Sequence, residues 1–397
     1  RDLEHGDQKY LAVTSAGLHN AGVIGFNESG LFIGIHTIPT TEVSTEGNPV
    51  FLVGQEVIQK AKTFDEAVAI FDKYKPAAGW TYTLASVYEN RVASIELTNK
   101  RIAVRESPGS AHVQTNHYRT PELKSAYLEL TASITEDSLA RLIRAQELIE
   151  MNLGHFSVNE AVQILSSKYD PINKQVKGFG NVIAVNSTLS SAVFDPSRGR
   201  LFVASGMGPV SLTPYIELPL LTEFDESNFV GADYGVLENR SFIDNYPNLA
   251  KAEQKFIEAK IAYEIDNNSM KASLILSETV ALDPENAAYS FAKGILSLKA
   301  GDLSGARESF KANLLKSDKH FRLASQYYLG RISASQRKAS EAKAAWENVL
   351  READPVVEKT LIKAVVKSLK KLQKTGAVPL KKNSLVILMS EADMVEY

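Results

Sequence analysis

The hydrophobic pattern of the chain changes near residue 246, and this change limits the fold to two parts of different class. Up to about residue 220, short β-rich runs alternate with amphipathic segments of helical spacing. Further on the strand signals largely stop and helical spacing takes over. We therefore predict an α+β part over residues 1–220, a linker over 221–245, an all-α part over 246–353, and a C-terminal helix and tail over 354–397.

The first part contains strands that follow one another in hairpins. Helical spacing covers Val50–Lys60 and residues 136–151, and Thr63 with Glu66 has the form of a capping box at another helix start. Pro196 and Gly199 suit a hairpin turn. Runs rich in β-branched and aromatic residues predict strands over 11–14, 31–35, 81–87, 92–97, 102–104, 188–194 and 200–205. This order favours an α+β layered body over a doubly wound sheet.

The second part repeats a pattern of small and large residues. Alanines recur at intervals of 34 and 36 residues, each four residues before a large apolar one: Ala272 with Leu276, Ala306 with Phe310, Ala342 with Trp346. A glycine stands twelve residues ahead of the second and third alanines, whereas the first repeat has Lys260 there and its small residue, Ala259, one place earlier. The pattern is typical of tetratricopeptide repeats, and the alternative is an unrelated helical bundle.

The composition of the chain excludes several kinds of site and partner. The chain has no cysteine, so it forms no intrachain disulfide and offers no thiolate to a metal. Its seven histidines show no close metal-binding spacing, and we predict neither a metal site nor a cofactor. A net charge of −3 gives no reason to expect nucleic acid as a partner. No run approaches the roughly 20 apolar residues of a membrane span, so we expect a soluble protein, cytoplasmic or exported with a leader not present here.

Four short stretches carry a family resemblance. They are Arg1-Asp2-Leu3-Glu4, residues 25–31, Thr115-Asn116-His117-Tyr118 and Ser138-Leu139-Ala140-Arg141. Together they resemble the acyl-coenzyme A:6-aminopenicillanic acid acyltransferase family. Its members are N-terminal-nucleophile enzymes related to bile salt hydrolase, penicillin V acylase and acid ceramidase. The resemblance covers roughly residues 1–215 and implies an αββα sandwich.

The resemblance also implies a nucleophile and an oxyanion donor. The family's nucleophile is a cysteine exposed by self-cleavage, one strand and turn upstream of an arginine-containing motif that Arg1 to Glu4 resembles. The resemblance thus places the nucleophile before Arg1. Arg1 would polarise its surroundings and Glu4 would accept a hydrogen bond from its amine, although a solvated charged tail is the alternative. Asn116 would donate to the oxyanion, and a turn residue is the alternative.

Further site residues follow from the same resemblance. Arg141 and Arg144 lie three residues apart on one face of a helix expected to begin at Asp137-Ser138, and one of them would point into the site. His36 and Thr37 fall where family members line the acyl pocket. His117 would orient the loop that carries Asn116.

The implied activity is transfer or hydrolysis of an acyl group from a small-molecule amide or thioester. The alternative is a catalytically inactive hydrolase-like body joined to a tetratricopeptide scaffold that binds a protein partner through its repeats. Neither the oligomeric state nor the acyl donor follows from the sequence.

Overall fold

The computed structural model of the chain describes residues 7–14, 22–107, 109, 111–128, 132–219, 236–237 and 239–380. It combines antiparallel sheets with a C-terminal helical region. The chain divides into two compact units that interleave along the sequence. The first comprises residues 1–130, 141–166 and 188–239, and the second comprises 131–140, 167–187 and 240–397.

A six-stranded antiparallel sheet forms the centre of the first unit, with its strands in sequence order. The strands are β1 (Tyr10–Val13), β2 (Ile24–Asn27), β3 (Leu31–Thr37), β4 (Trp80–Ser86), β5 (Arg91–Leu97) and β6 (Ile102–Glu106). Five of them lie where the β-rich runs predict strands. Strand β2 is not among the predicted strands. The turn that follows it begins after Asn27, and Gly30 supplies its positive φ of 77°.

The two faces of this sheet differ in chemistry. One face, with Ile33, Leu84 and Ile95, packs against helices α1 (Val50–Lys60) and α2 (Phe64–Lys73). Helix α2 begins as predicted, since the Thr63 hydroxyl accepts a hydrogen bond from the Glu66 amide at 3.2 Å. The opposite face carries polar residues in register, for example the row that pairs His36, Thr81 and Glu96. Alternation along each strand therefore gathers polar side chains away from the two helices.

A second antiparallel sheet packs on part of this opposite face. Its order is β12 (Val236–Leu237), β11 (Tyr215–Pro219), β10 (Arg200–Ala204) and β9 (Ala192–Asp195). Phe26 and Phe32 of the first sheet contact Phe194 of the second, beside the buried Leu201. The hairpin turn between β9 and β10 is confirmed, with Gly199 at φ 63°. The prediction of a strand from residue 188 is wrong at its start, because Leu189 is 79% exposed and pairing begins at Ala192.

Helix α4 (Ala132–Met151) follows the short α3 (Pro121–Lys124) and precedes α5 (Val158–Leu165). The predicted start at Asp137-Ser138 is wrong, since the helix begins at Ala132. Asp137 and Ser138 are buried, and the Asp137 carboxylate accepts the backbone amide of Asn181 at 3.1 Å. Both side chains therefore pack within the helix and do not mark its start.

The second unit consists largely of helices in sequential pairs. They are α6 (Ser241–Asn245), α7 (Pro247–Glu264), α8 (Ser269–Leu282), α9 (Ala287–Ala300), α10 (Leu303–Asn313), α11 (Lys319–Ser335), α12 (Ala339–Glu352) and α13 (Lys359–Thr375). The three repeated alanines and their large apolar partners are fully buried. A Cβ added at Gly294 would lie 2.6 Å from the Phe310 ring, and one at Gly330 2.4 Å from Trp346. The glycines therefore make room for the aromatic rings of the following helices.

An inserted segment, residues 167–187, also belongs to the second unit and contains the short strands β7 (Tyr169–Asp170) and β8 (Gln175–Val176). Its Phe179 ring packs between Phe256 of α7 and Tyr289 of α9, with ring centroids 4.7 and 6.2 Å away. The Lys168 ammonium binds the Glu253 carboxylate of α7 at 2.6 Å, with both side chains buried. The inserted segment thus occupies a face of the helical pairs. Among the described residues, no helix is long and apolar enough to cross a membrane.

Candidate active site

Asn116 lies in the loop after β6, and its side-chain amide is held from both sides. Its Nδ2 donates to the main-chain carbonyl of Thr37 at 3.0 Å, and its Oδ1 accepts from Nη1 of Arg141 at 3.1 Å. A guanidinium can only donate and a carbonyl can only accept, so these two partners fix which end of the amide points which way. The end of β3 and helix α4 thus position this one group.

The two arginines of α4 have different neighbours. Arg141 reaches Asn116, whereas Nη1 of Arg144 donates to the Glu147 carboxylate at 3.2 Å, one turn along the same helix. Both arginines make further interactions beyond these. The structure therefore brings Arg141 to the Asn116 loop and gives Arg144 an ion pair on its own helix.

His36 and Thr37 form the end of β3. The Thr37 carbonyl accepts a hydrogen bond from the Asn116 side chain. Thr37 itself is exposed. His36 stands on the polar face of the sheet beside Thr81 of β4. Because β3 ends at Thr37, both residues lie where the strand meets the Asn116 loop.

The loop itself is tied to the sheet by Gln114. Its amide nitrogen donates to the carbonyls of Thr115 and His117 at 2.7 and 3.0 Å, and its oxygen accepts from Ser94 and Arg105. The Thr115 hydroxyl lies 3.3 Å from Nδ1 of His117. His117 thus belongs to the hydrogen-bonded framework of the loop that carries Asn116.

Glu96 is a site residue that the sequence interpretation missed. Its carboxylate is fully buried on β5 and accepts the amides of Arg119 and Thr120 at 2.9 and 3.1 Å, and the Thr120 hydroxyl at 2.7 Å. It therefore anchors the downstream end of the Asn116 loop. A signal existed, since the polar Ser94 and Glu96 alternate with the apolar Ala93, Ile95 and Leu97 along the strand.

Unsatisfied polar atoms gather on this face of the sheet. Among the described residues, Nδ1 of His36, Oγ1 of Thr81, Nε of Arg105 and Nδ1 of His112 are buried without a hydrogen-bond partner. Most buried polar groups in folded proteins are paired, and clusters of exceptions mark places where a ligand or catalytic group acts. The polar face next to Asn116 is therefore the candidate active site.

Three imidazoles around this site are neutral near pH 7. Burial, with the charge of Arg141 second, lowers the pKa of His36 to about 4. Burial and the charges of Arg105 and Arg119 lower the pKa of His112 to about 4. For His117, burial and three guanidinium groups, Arg119 foremost, also lower the pKa to about 4. Neutral imidazoles can accept protons or hydrogen bonds without adding to the positive charge of the arginines.

These histidines predict a loss of stability in acid. The pKa of His112 falls from 6.5 to about 4 on folding, so the unfolded chain binds more protons between these values. The stability that these neutral histidines contribute is fully present above pH 6.5 and decreases as the pH falls toward 4. We expect His112→Asn to show a smaller loss of unfolding free energy between pH 7.5 and 5, measured by urea denaturation. A pH dependence equal to that of the unchanged protein would contradict this assignment.

Two predicted site residues, Arg1 and Glu4, lie outside the described residues, so their roles stay predictions. The structure brings five predicted site residues together around the end of β3: Asn116, Arg141, His36, Thr37 and His117. The geometry assigns no catalytic step to any of them.

Comparison with known protein families indicates the class of reaction. The model of the acyl-coenzyme A:6-aminopenicillanic acid acyl-transferase family matches residues 8–207, about half of the chain. No curated protein matches the chain.

Proposed function

Because the chain belongs to the acyl-coenzyme A:6-aminopenicillanic acid acyl-transferase family, we propose that it transfers or hydrolyses an acyl group held in an amide or thioester. Membership in this family indicates an enzyme of the acyltransferase or hydrolase type. The match covers the first sheet and strands β9 and β10 of the second, and it includes Asn116 and Arg141.

The proposed nucleophile is an N-terminal cysteine that precedes Arg1 in the native protein, as the family resemblance implies. Its α-amine, with an ordinary pKa of about 7.7–8.0, takes the thiol proton while sulfur adds to the acyl carbonyl. The tetrahedral oxyanion then collapses and expels the amine or thiol, which receives that proton from the ammonium group. Water or an acceptor amine finally attacks the thioester and releases the acyl group.

The observation that carries the proposal is the fixed amide of Asn116. A neutral N–H donor that is already oriented stabilises a developing oxyanion without reorganisation during the reaction. The Arg141 guanidinium holds Oδ1 of this amide at 3.1 Å, so the Nδ2 end is directed away from the arginine. We assign Asn116 to the oxyanion and Arg141 to the positioning of Asn116.

We extend the proposal to the fold in two respects. The layers of helices and sheets in the first unit support an αββα N-terminal-nucleophile sandwich. The fit of Gly294 with Phe310 and of Gly330 with Trp346 supports tetratricopeptide-like repeats. The alternative of a protein-binding scaffold is less favoured, because the inserted segment already occupies a face of α7 and α9.

The two arginines of α4 provide a test of the assignment. We expect Arg141→Gln to lower kcat at least about tenfold more than Arg144→Gln, since only the former frees the Asn116 amide. Both changes remove one positive charge from the same helix face, so each is the control of the other. Initial rates on an acyl amide measure the effect, and a larger loss in Arg144→Gln would overturn the choice of Arg141.

The nucleophile is tested on the native protein, including any residues before Arg1. Intact mass and N-terminal sequencing are expected to find a mature chain that begins with cysteine. Incubation with an acyl amide should then add the acyl mass to that cysteine. A mature chain with no N-terminal cysteine would refute the proposed mechanism.

A further inference from the structure

A cavity of about 180 Å³ lies beside the Asn116 loop in the first unit. On the sheet and loop side it is lined by Arg105, His112 and Arg119, and on the helix side by Gln146, Ile149 and Glu150 of α4. None of the residues that we assign to the acyl-transfer step lines it. The cavity is large enough for a small polar group, and its Arg105 and His112 also belong to the polar face of the candidate active site.

The charge of the cavity is positive. Arg105 and Arg119 are close enough to repel, since burial and then the charge of Arg119 lower the pKa of Arg105. The buried carboxylate of Glu96 lies 3.8 Å from Nε of Arg105 and offsets one of the two charges. Glu150 is exposed, where water and salt screen its carboxylate. The lining thus leaves one guanidinium charge without a buried counterion among the described residues.

Hydrogen-bond donors remain on both guanidinium groups. Arg105 uses Nη2 for its bonds to Ser94 and Gln114, at 2.7 Å each, and Arg119 uses Nη1 for the Val113 carbonyl at 3.1 Å. Within the described part of the chain, Nη1 of Arg105 and both Nε and Nη2 of Arg119 make no hydrogen bond. Nδ1 of the nearby His112 is buried and also unpartnered. Arginine donors in this arrangement suit carboxylate and phosphate oxygens, which they bind in pairs.

The cavity adjoins the candidate active site. Gln114 bonds Arg105 on one side and the carbonyls of Thr115 and His117 on the other, so a single side chain links the cavity wall to the Asn116 loop. The charges of Arg119, Arg141 and Arg105 all lower the pKa of His117. The cavity wall and the Asn116 loop therefore belong to one hydrogen-bonded framework.

We propose that this cavity binds an anionic group of the substrate, a carboxylate or a phosphate, and so selects acyl compounds that carry a negative charge near the scissile bond. The inference rests on the proposed function for its placement on a substrate. Binding of the anion itself depends only on the cavity. The bound anion would offset the positive charges of Arg105 and Arg119 and so reduce their repulsion. It would also accept hydrogen bonds from their remaining N–H groups.

Binding is measured on the full chain by calorimetry with three probes that each carry a six-carbon chain. They are N-hexanoylglycine, its uncharged methyl ester, and hexyl phosphate. We expect the charged probes to bind at least about tenfold more tightly than the ester. Preference for N-hexanoylglycine assigns a carboxylate, and preference for hexyl phosphate assigns a phosphate. Equal affinity for all three probes would overturn the proposal.

Arg119→Gln is the decisive variant, because its side chain makes one hydrogen bond and its removal should spare the fold. We expect it to abolish the preference for the charged probe and to leave ester binding unchanged. The matched control is Arg91→Gln, which removes a guanidinium from the same sheet, where it pairs with Asp65 and Glu106 away from the cavity. A preference retained in Arg119→Gln, or lost equally in Arg91→Gln, contradicts the assignment.

Measurements of turnover distinguish the proposed acyl-transfer reaction from the proposed anion site. If no probe or acyl amide is turned over while the charged probes still bind preferentially, the proposed reaction fails and the anion site stands. If amides are turned over at rates independent of charge and of Arg119, the reaction stands and the anion site fails. Where both hold, Arg119→Gln should raise KM for the acid by a larger factor than KM for the ester.

Discussion

Replacing Asn116 by alanine is expected to lower kcat by about 100- to 1,000-fold, which corresponds to about 3–4 kcal/mol of transition-state stabilisation. The effect is large because the amide is fixed between the Thr37 carbonyl and Arg141 before substrate binds. Substrate KM should change much less, since the donor acts on charge that develops only in the transition state. Steady-state kinetics on an acyl amide measure both parameters.

Two further variants distinguish catalysis from folding. Asn116→Asp keeps an acceptor for Arg141 and loses the N–H donor, so it should lose turnover and retain the fold. Asn48→Ala is the matched control, because its amide also donates to one main-chain carbonyl, that of Lys75, at the same distance of 3.0 Å. If Asn116→Ala and Asn48→Ala lower kcat equally, Asn116 has no special role in the reaction.

Replacing Lys168 by methionine should destabilise the protein by about 3–5 kcal/mol. The Lys168 ammonium donates to Glu253 and to the carbonyls of Gly178 and Ala184, and both charged side chains are almost fully buried. Burial lowers the pKa of Lys168 and raises the pKa of Glu253, so each charge depends on the other. Without the lysine, Glu253 must remain buried unpaired or take up a proton. Urea denaturation measures the loss.

The same helix supplies the control for this pair. Lys255 of α7 forms ion pairs with Glu258 and Glu278 at the surface, and Lys255→Met should be far less destabilising than Lys168→Met, because exposed ion pairs contribute little to stability. The double change Lys168→Met with Glu253→Met should be less destabilising than Lys168→Met alone, because no unpaired charge remains. A loss in Lys168→Met no larger than in Lys255→Met would mean that the buried pair contributes little.

The helical part of the fold follows closely from its sequence because its contacts are local. The spacing of Gly330, Ala342 and Trp346 predicts that consecutive helices approach closely, and the structure places the Trp346 indole directly over Gly330. The pairing in the first sheet is also simple, since its strands lie in sequence order, with α1 and α2 inserted between β3 and β4. The start of α4 could not be predicted, because its second turn is fixed by Asn181, more than 40 residues away.

The candidate site was predictable only in part. Asn116 and Arg141 belong to short motifs that carry the family resemblance, and the structure joins them by a hydrogen bond. Glu96, Gln114 and Arg105 belong to no motif. Their partners depend on the register of β5 against β6, where Ser94 pairs with Arg105. A shift of one residue would turn these side chains to the helix-covered face, so a linear pattern cannot identify the set.

The inserted segment has a consequence for how such a protein can be divided or recombined. Residues 167–187 pack on α7 and α9, yet about 50 residues of the first unit separate them from α6 in the chain. A fragment cut at residue 240 would carry away the helices without Phe179, and would leave the apolar surfaces of Phe256 and Tyr289 open. A single crossover in the gene could therefore not move the helical unit intact into another protein.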